Sequence, residues 1–185
     1  MKTVTIFGSS IPDEGTEIYR QAQQLGRLLA EAGWAVCNGG YGGLMEASAR
    51  GAQEALGHTV GVTCNIWPAH ANRWIAEEIR TSSFMERLTT LIERGDGYIV
   101  LPGGTGTLAE LALVWEMMNK SALARSMGGP RPLLVMAPYW QPVIGCLEQE
   151  GQMGAGSKKQ RAPAMDLVTL IRSVDEAVAH LTSKL

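Results

Sequence analysis

A chain of 185 residues that is 45% hydrophobic and 18% charged is long enough to bury a substantial core and lies far from the composition of disordered chains. Its 16 basic and 18 acidic residues leave a formal net charge of -2, which gives no general affinity for nucleic acid polymers or anionic membranes, so any anion site must be local. The opening MKTVTIFGSS carries one Lys and a β-type run too short for a signal-peptide core or a membrane span, so a cytoplasmic protein with a single domain over residues 1–185 is expected.

Taken in chain order, the β-branched run Thr3–Phe7 predicts a strand that ends in the turn GSS. Apolar residues at helical spacing from Thr16 to Ala32, followed by Gly33 in the place of a C-terminal cap, predict an amphipathic helix. A short strand at Trp34–Cys37, a glycine turn at Asn38–Gly43 and a helix to about Leu56 repeat the arrangement. HTVGVT and EIRTSS read as the third and fourth strands, FMERLTTLIERG as a helix and GYIVL as the fifth strand. A helix from about Thr107 to Met118 follows, then a strand in PLLVMAP and the start of a helix in PVIGCLEQEG. DLVTLIRS predicts the last strand, and SVDEAVAHLTSKL a terminal helix opened by a Ser173/Glu176 capping box. SMGGPRP and GQMGAGSKKQRAPA read as loops, the second of them mobile.

Strands that alternate with helices require crossovers, and crossovers join parallel neighbours. The predicted class is therefore α/β: a doubly wound, mostly parallel, Rossmann-like sheet with helices on both faces. Ligands of such sheets lie beyond the carboxyl ends of the strands. Three glycine-rich loops fall there, at Gly8, at Asn38–Gly43 and at Pro102–Gly106.

Glycine lets ligand oxygens approach backbone N–H groups, and a helix start supplies unpaired donors, so PGGTGT fits a phosphate, with hydroxyls from Thr105 and Thr107. The other reading of that loop is a tight turn without a ligand. No Lys follows, so it is not a P-loop, and FGSSIPDEG lacks the dinucleotide fingerprint, which argues against an NAD site. Glu110 lies one turn into the helix, where its carboxylate either faces the loop's occupant or stabilises the helix dipole. Arg87 opens the preceding helix, where a cation is not favoured, and reads either as functional or as solvated or ion-paired. Cys37, Cys64 and Cys146, with His58, His70 and His180, fall in no metal-ligand spacing, so neither metal nor cofactor is expected.

Together FGSS, NGGYGGLMEASARGA, GHTVGV, MER and PGGTGTLAE resemble the LONELY GUY (LOG) family, long labelled as lysine decarboxylases. Pro102, Gly103, Gly104, Gly106, Thr107 and Glu110 match every fixed position of its signature P-G-G-x-G-T-x-x-E. The resemblance implies a phosphoribohydrolase that cleaves the N-glycosidic bond of AMP or N6-substituted AMP, with Arg87 and Glu110 as the catalytic pair. It places the phosphate on Gly103, Gly104, Thr105, Gly106 and Thr107, and lines the nucleotide cleft with Gly8, Ser9, Gly42, Gly43, Leu44 and Met45. It also implies a homodimer or larger assembly; LALVWEMM fits either a contact between copies or a core helix. Cytokinin-activating members read HERK and PGGYGTLEE, so Leu88 and Ala109 stand here for a Lys and a Glu. That departure keeps open a non-catalytic carrier or sensor of a phosphorylated ligand, such as a nucleotide or a molybdenum-cofactor-like group. CNIWPAHANRWIAEEI is unlike the compact members and suggests a lid, with Trp67 or Trp74 either over the base or packed inside. A lysine decarboxylase would need a buried Schiff-base lysine, and of Lys2, Lys120, Lys158, Lys159 and Lys184 only Lys120 is remotely placed for one.

Overall fold

Residues 1–120, 131–149 and 164–185 are described in the computed structural model of the chain. The order is β1 (Thr3–Phe7), α1 (Glu17–Glu31), β2 (Ala35–Asn38), α2 (Leu44–Glu54), β3 (Thr59–Cys64), β4 (Glu77–Thr81), α3 (Phe84–Arg94) and β5 (Gly97–Val100). Then come α4 (Thr105–Asn119), β6 (Leu133–Met136), α5 (Gln141–Glu148), a 3-10 turn (Ala164–Leu167), β7 (Val168–Ile171) and α6 (Val174–Thr182).

The seven strands form one sheet in the order β4-β3-β2-β1-β5-β6-β7. Every pairing is parallel, so "mostly parallel" becomes wholly parallel among the described residues. From β1 the chain steps outward through β2, β3 and β4, then returns to lay β5 on the other side of β1. That reversal opens a crevice at the carboxyl ends of β1 and β5, where doubly wound sheets hold ligands.

Alternation along β1 shows how the core divides. Val4 and Ile6 pack with α1, α2 and α6 on one face, whereas Phe7 joins Tyr98, Val100 and the apolar sides of α3, α4 and α5 on the other. Thr5, between them, turns its hydroxyl to the Leu91 carbonyl at 3.0 Å, so a buried polar group is satisfied. Helices α1 and α2 touch through glycines: a Cβ on Gly26 would run into the Ser48 carbonyl, and one on Gly51 into the Gln23 carbonyl.

Among the described residues, side-chain caps start three helices, through Thr16, Ser83 and Ser173. Ser173 takes the Glu176 N–H at 3.1 Å, but the Glu176 carboxylate reaches back to Arg172 N–H at 2.7 Å, one residue outside the predicted box. The fourth strand ends at Thr81, because Ser83 is recruited as the α3 cap. Helix α4 begins at Thr105, two residues before the expected start, with Gly104 as a cap that offers no side chain. The loop SMGGPRP up to Pro130, and GQMGAGSKKQRAPA up to Pro163, lie outside the described residues. Among those described, no helix is long and apolar enough to cross a membrane, and no group of His, Cys, Asp and Glu could hold a metal ion.

Candidate active site

The crevice is built from backbone before side chains. Leu101 N–H donates to the Phe7 carbonyl at 2.9 Å and Ser9 N–H to the Pro102 carbonyl at 3.0 Å, so the loops after β1 and β5 are tied as a continuation of the sheet. The Ser9 carbonyl then accepts Leu44 N–H at 2.8 Å, which occupies the first donor of α2. Gly43 sits at φ 68° against Ser9 and Ser10, in a left-handed conformation and with no room for a Cβ. Buried Asn38 fixes the second loop: its Oδ1 accepts Gly40 N–H at 2.8 Å, and its amide donates to the Met45 carbonyl at 2.9 Å.

The third loop is braced from outside the site. Tyr139 Oη donates to the Gly103 carbonyl at 2.7 Å, and Trp140 Nε1 to the Leu101 carbonyl at 2.9 Å. Thr107 is buried and its side chain fills the space a Gly103 Cβ would need. Gly104, Thr105 and Gly106 are exposed, and the first turn of α4 has no side-chain cap. Its N–H groups are free to meet an anion.

Between these loops lies a cleft of about 640 Å³. Gly8, Ser9, Met45 and Gly104 to Thr107 line it with Arg87 and Glu110, so the sequence motifs converge. Gly42, Gly43, Leu44 and Gly103 stand behind the wall: Leu44 and Gly103 are buried there, shaping the loops rather than facing the cavity. The rest of the lining, Ser10, Ile11, Tyr41, Trp67, Pro68, Ala69 and Phe84, carries no phosphate signature. Of these the sequence reading named only Trp67 as a candidate; the position of Tyr41 inside a glycine turn was the available signal for it.

Arg87 and Glu110 are both buried, and Arg87 Nη1 lies 3.4 Å from Glu110 Oε1. Arg87 also donates through Nε to the Val62 carbonyl at 2.8 Å and through Nη2 to the Gly39 carbonyl at 3.4 Å. A Cβ on Gly39 would occupy the place of the Arg87 guanidinium, so the glycine leaves room for it. Burial pushes the Glu110 carboxyl up to about 7, and the charge and hydrogen bond of Arg87 pull it back only in part. A carboxyl poised there exchanges protons near neutral pH.

Trp74 is not on the cleft; its ring packs under the guanidinium groups of Arg73 and Arg50, at 4.8 and 5.5 Å. Leu88 is buried and Ala109 half-buried, and neither lines the cleft. Lys120 is exposed and paired with Glu116 at 3.2 Å, which makes it no candidate for a buried Schiff base.

A model of the SLOG cluster4 family matches residues 1–128. The chain belongs to the SLOG cluster4 family. The LOG resemblance carried by the motifs holds. Over 186 residues this SLOG chain is 28% identical to the cytokinin riboside 5'-monophosphate phosphoribohydrolase of Rhodococcoides fascians, which covers 98% of the chain and 90% of that protein. Over 116 residues it is 35% identical to the protein of the same name from Mycobacterium tuberculosis, covering 61% and 62%. Among solved structures, the molybdenum cofactor binding protein from Rippkaea orientalis is similar at TM-score 0.73 and 22% identity, covering 98% of the SLOG chain and 96% of its own. That likeness is one of fold.

Proposed function

We propose that the protein is a nucleoside 5'-monophosphate phosphoribohydrolase that converts AMP or N6-substituted AMP and water into free base and ribose 5-phosphate. The observation that carries the reading is the buried Arg87–Glu110 pair, 3.4 Å apart, beside the uncapped start of α4. The names of the relatives from Rhodococcoides fascians and Mycobacterium tuberculosis support the reaction class.

In this reading the phosphate rests on the first turn of α4, from Gly104 to Thr107, with Gly8 and Ser9 opposite. Gly103, Gly42, Gly43 and Leu44 hold the loops in that shape, and Met45 closes the wall between them. The ribose then lies over Glu110, and the base continues along the cleft beyond it. When the C1'–N bond breaks, its electron pair leaves with the base and positive charge develops on the ribose ring. Ionised Glu110 stabilises that charge and takes a proton from the water that adds to C1'; the departing base nitrogen is protonated in exchange, and Glu110 is returned to its ionised form. Arg87 orients the nucleotide or the departing base, and its charge favours the ionised carboxylate. Water is the only co-reactant, and no step calls for a metal or cofactor.

The substitutions at Leu88 and Ala109 favour a carrier, the second reading, but both residues lie off the cleft wall, so the groups facing a nucleotide are not altered by them. We further propose that the protein acts as a homodimer through the side of α4 on which Leu108 is exposed. Incubation with AMP, GMP, CMP and N6-isopentenyl AMP, with chromatography of the products, tests the function. Free adenine or its N6-substituted form, absent with Arg87 or Glu110 variants, is the expected result; a nucleotide that binds and stays intact supports the carrier.

A further inference from the structure

Residues 65–76, between β3 and β4, form a strap that is fastened down along its length. Asn65 N–H donates to the Thr81 carbonyl at 2.9 Å, and the Arg80 guanidinium donates to the carbonyls of Trp67 and Ala69 at 3.4 and 3.3 Å. At the far end Asn72 N–H donates to the Gly40 carbonyl at 2.8 Å, and the Asn72 side-chain amide to the Tyr41 carbonyl, also at 2.8 Å. Tyr41 Oη completes the fastening by accepting Cys64 N–H at 2.9 Å. The strap and the second glycine loop are thus held as one piece, although Asn72 lies 32 residues from Gly40 and 31 from Tyr41.

What this piece presents to the cleft is a pair of rings around one cation. The Arg87 guanidinium carbon lies 5.7 Å from the Tyr41 ring centroid and 5.8 Å from that of Trp67. The rings meet edge-on at 5.8 Å, and Phe84 backs Trp67 in the same manner at 6.0 Å. Two of the guanidinium's hydrogen bonds, to Glu110 and to Gly39, are long at 3.4 Å, and only Nε is held closely. Long hydrogen bonds hold a guanidinium loosely; rings within cation–π distance add an attraction that helps to keep it in place.

We propose that Trp67 is a positioning residue, which acts through Arg87 to keep the guanidinium aligned with Glu110, and that the strap exists to deliver it. This rests on the phosphoribohydrolase reading for its catalytic consequence, but the alignment of Arg87 can be measured without turnover. Trp67 is 38% exposed, so its replacement leaves the core intact.

The test compares wild type with Trp67→Leu, which keeps an apolar side chain without a π face, and Trp67→Phe, which restores one. With AMP, kcat is expected to fall about 5- to 30-fold in the Leu variant, with KM changed less than about threefold, and to recover most of the way in the Phe variant. A raised KM with kcat unchanged would overturn the inference and make Trp67 a contact for the base. In parallel, 15N NMR of the arginine guanidinium groups in ligand-free protein follows rotation of Arg87, its signal assigned by loss in Arg87→Lys. Rotation is expected to be slow in wild type, at least several-fold faster in the Leu variant and restored in the Phe variant. Unchanged rotation in Trp67→Leu overturns the inference whatever the activity. Absence of base release from wild type, with Arg87 loosened as expected, would instead overturn the proposed function and leave the positioning role standing.

Discussion

Arg87 Nη1 stands 3.4 Å from Glu110 Oε1, yet the carboxyl is pushed up to about 7, not lowered by its partner. Burial of Glu110 outweighs the neighbouring charge, because removing a carboxylate from water costs more than a long ion pair returns. If catalysis uses the ionised form, kcat/KM rises with pH through about 7 and levels above it. Glu110→Gln should lose at least about 100-fold in kcat while nucleotide still binds. Flat activity between pH 5.5 and 8.5 would place the titration elsewhere.

The same carboxyl affects stability with a defined sign. Its folded value, about 7, lies above the reference value of 4.5, so the folded protein binds the proton more tightly than the unfolded chain. The stabilisation this gives is complete below about 4.5 and is lost as pH rises through 7. Glu110→Gln escapes that loss. Its stability relative to wild type should therefore grow from pH 5 to pH 8, by on the order of 3 kcal/mol at most. Denaturant titrations at several pH values measure it, and a constant offset would contradict the buried, raised carboxyl.

Two glycines of the phosphate loop should respond in opposite ways. A Cβ on Gly106 would meet no protein atom, so Gly106→Ala should hold or raise stability by about 0.5–1 kcal/mol while narrowing the cleft it lines. The expected signature is a higher Tm with a several-fold higher KM. A Cβ on Gly103 would collide with the Thr107 side chain, so Gly103→Ala should cost about 1–3 kcal/mol. Equal effects on KM and Tm from both would remove the argument that Gly106 makes room for a ligand.

The outer side of α4 gives a test of assembly. Trp115 and Met118 are 7% and 5% exposed within the chain itself, so acidic substitutions there would unfold the protein before they separated copies. Leu108, at 38%, is the suitable position. Leu108→Glu is expected to halve the mass seen by light scattering with little change in Tm; an unchanged mass would move the contact elsewhere or remove it.

Much of this was readable before any coordinates. The β-branched run Thr3–Phe7, the capping signal at Ser173 and the glycine turns after successive strands come from local physics, so the elements and the parallel class of the sheet followed. Residues that share a short loop, such as Gly104 to Thr107, were brought together by that loop alone. The early start of α4 was hidden because Gly104 caps it without the usual side-chain signal. The aromatic end of the cleft was hidden for another reason: Tyr41, Trp67 and Phe84 meet through Asn72, Arg80 and Cys64, partners far away in sequence, and no periodicity encodes such contacts. Trp74 shows the converse, since it lies seven residues from Trp67 on the same strap and faces two arginines instead of the cleft.

A time course with AMP, quantifying adenine and ribose 5-phosphate for wild type and Glu110→Gln, separates hydrolysis from binding alone. Both products are expected in equal amounts from wild type and neither from the variant, with the variant still stabilised by AMP in a thermal shift. AMP that protects wild type against unfolding yet remains intact would contradict hydrolysis and leave a protein that binds its nucleotide without cleaving it.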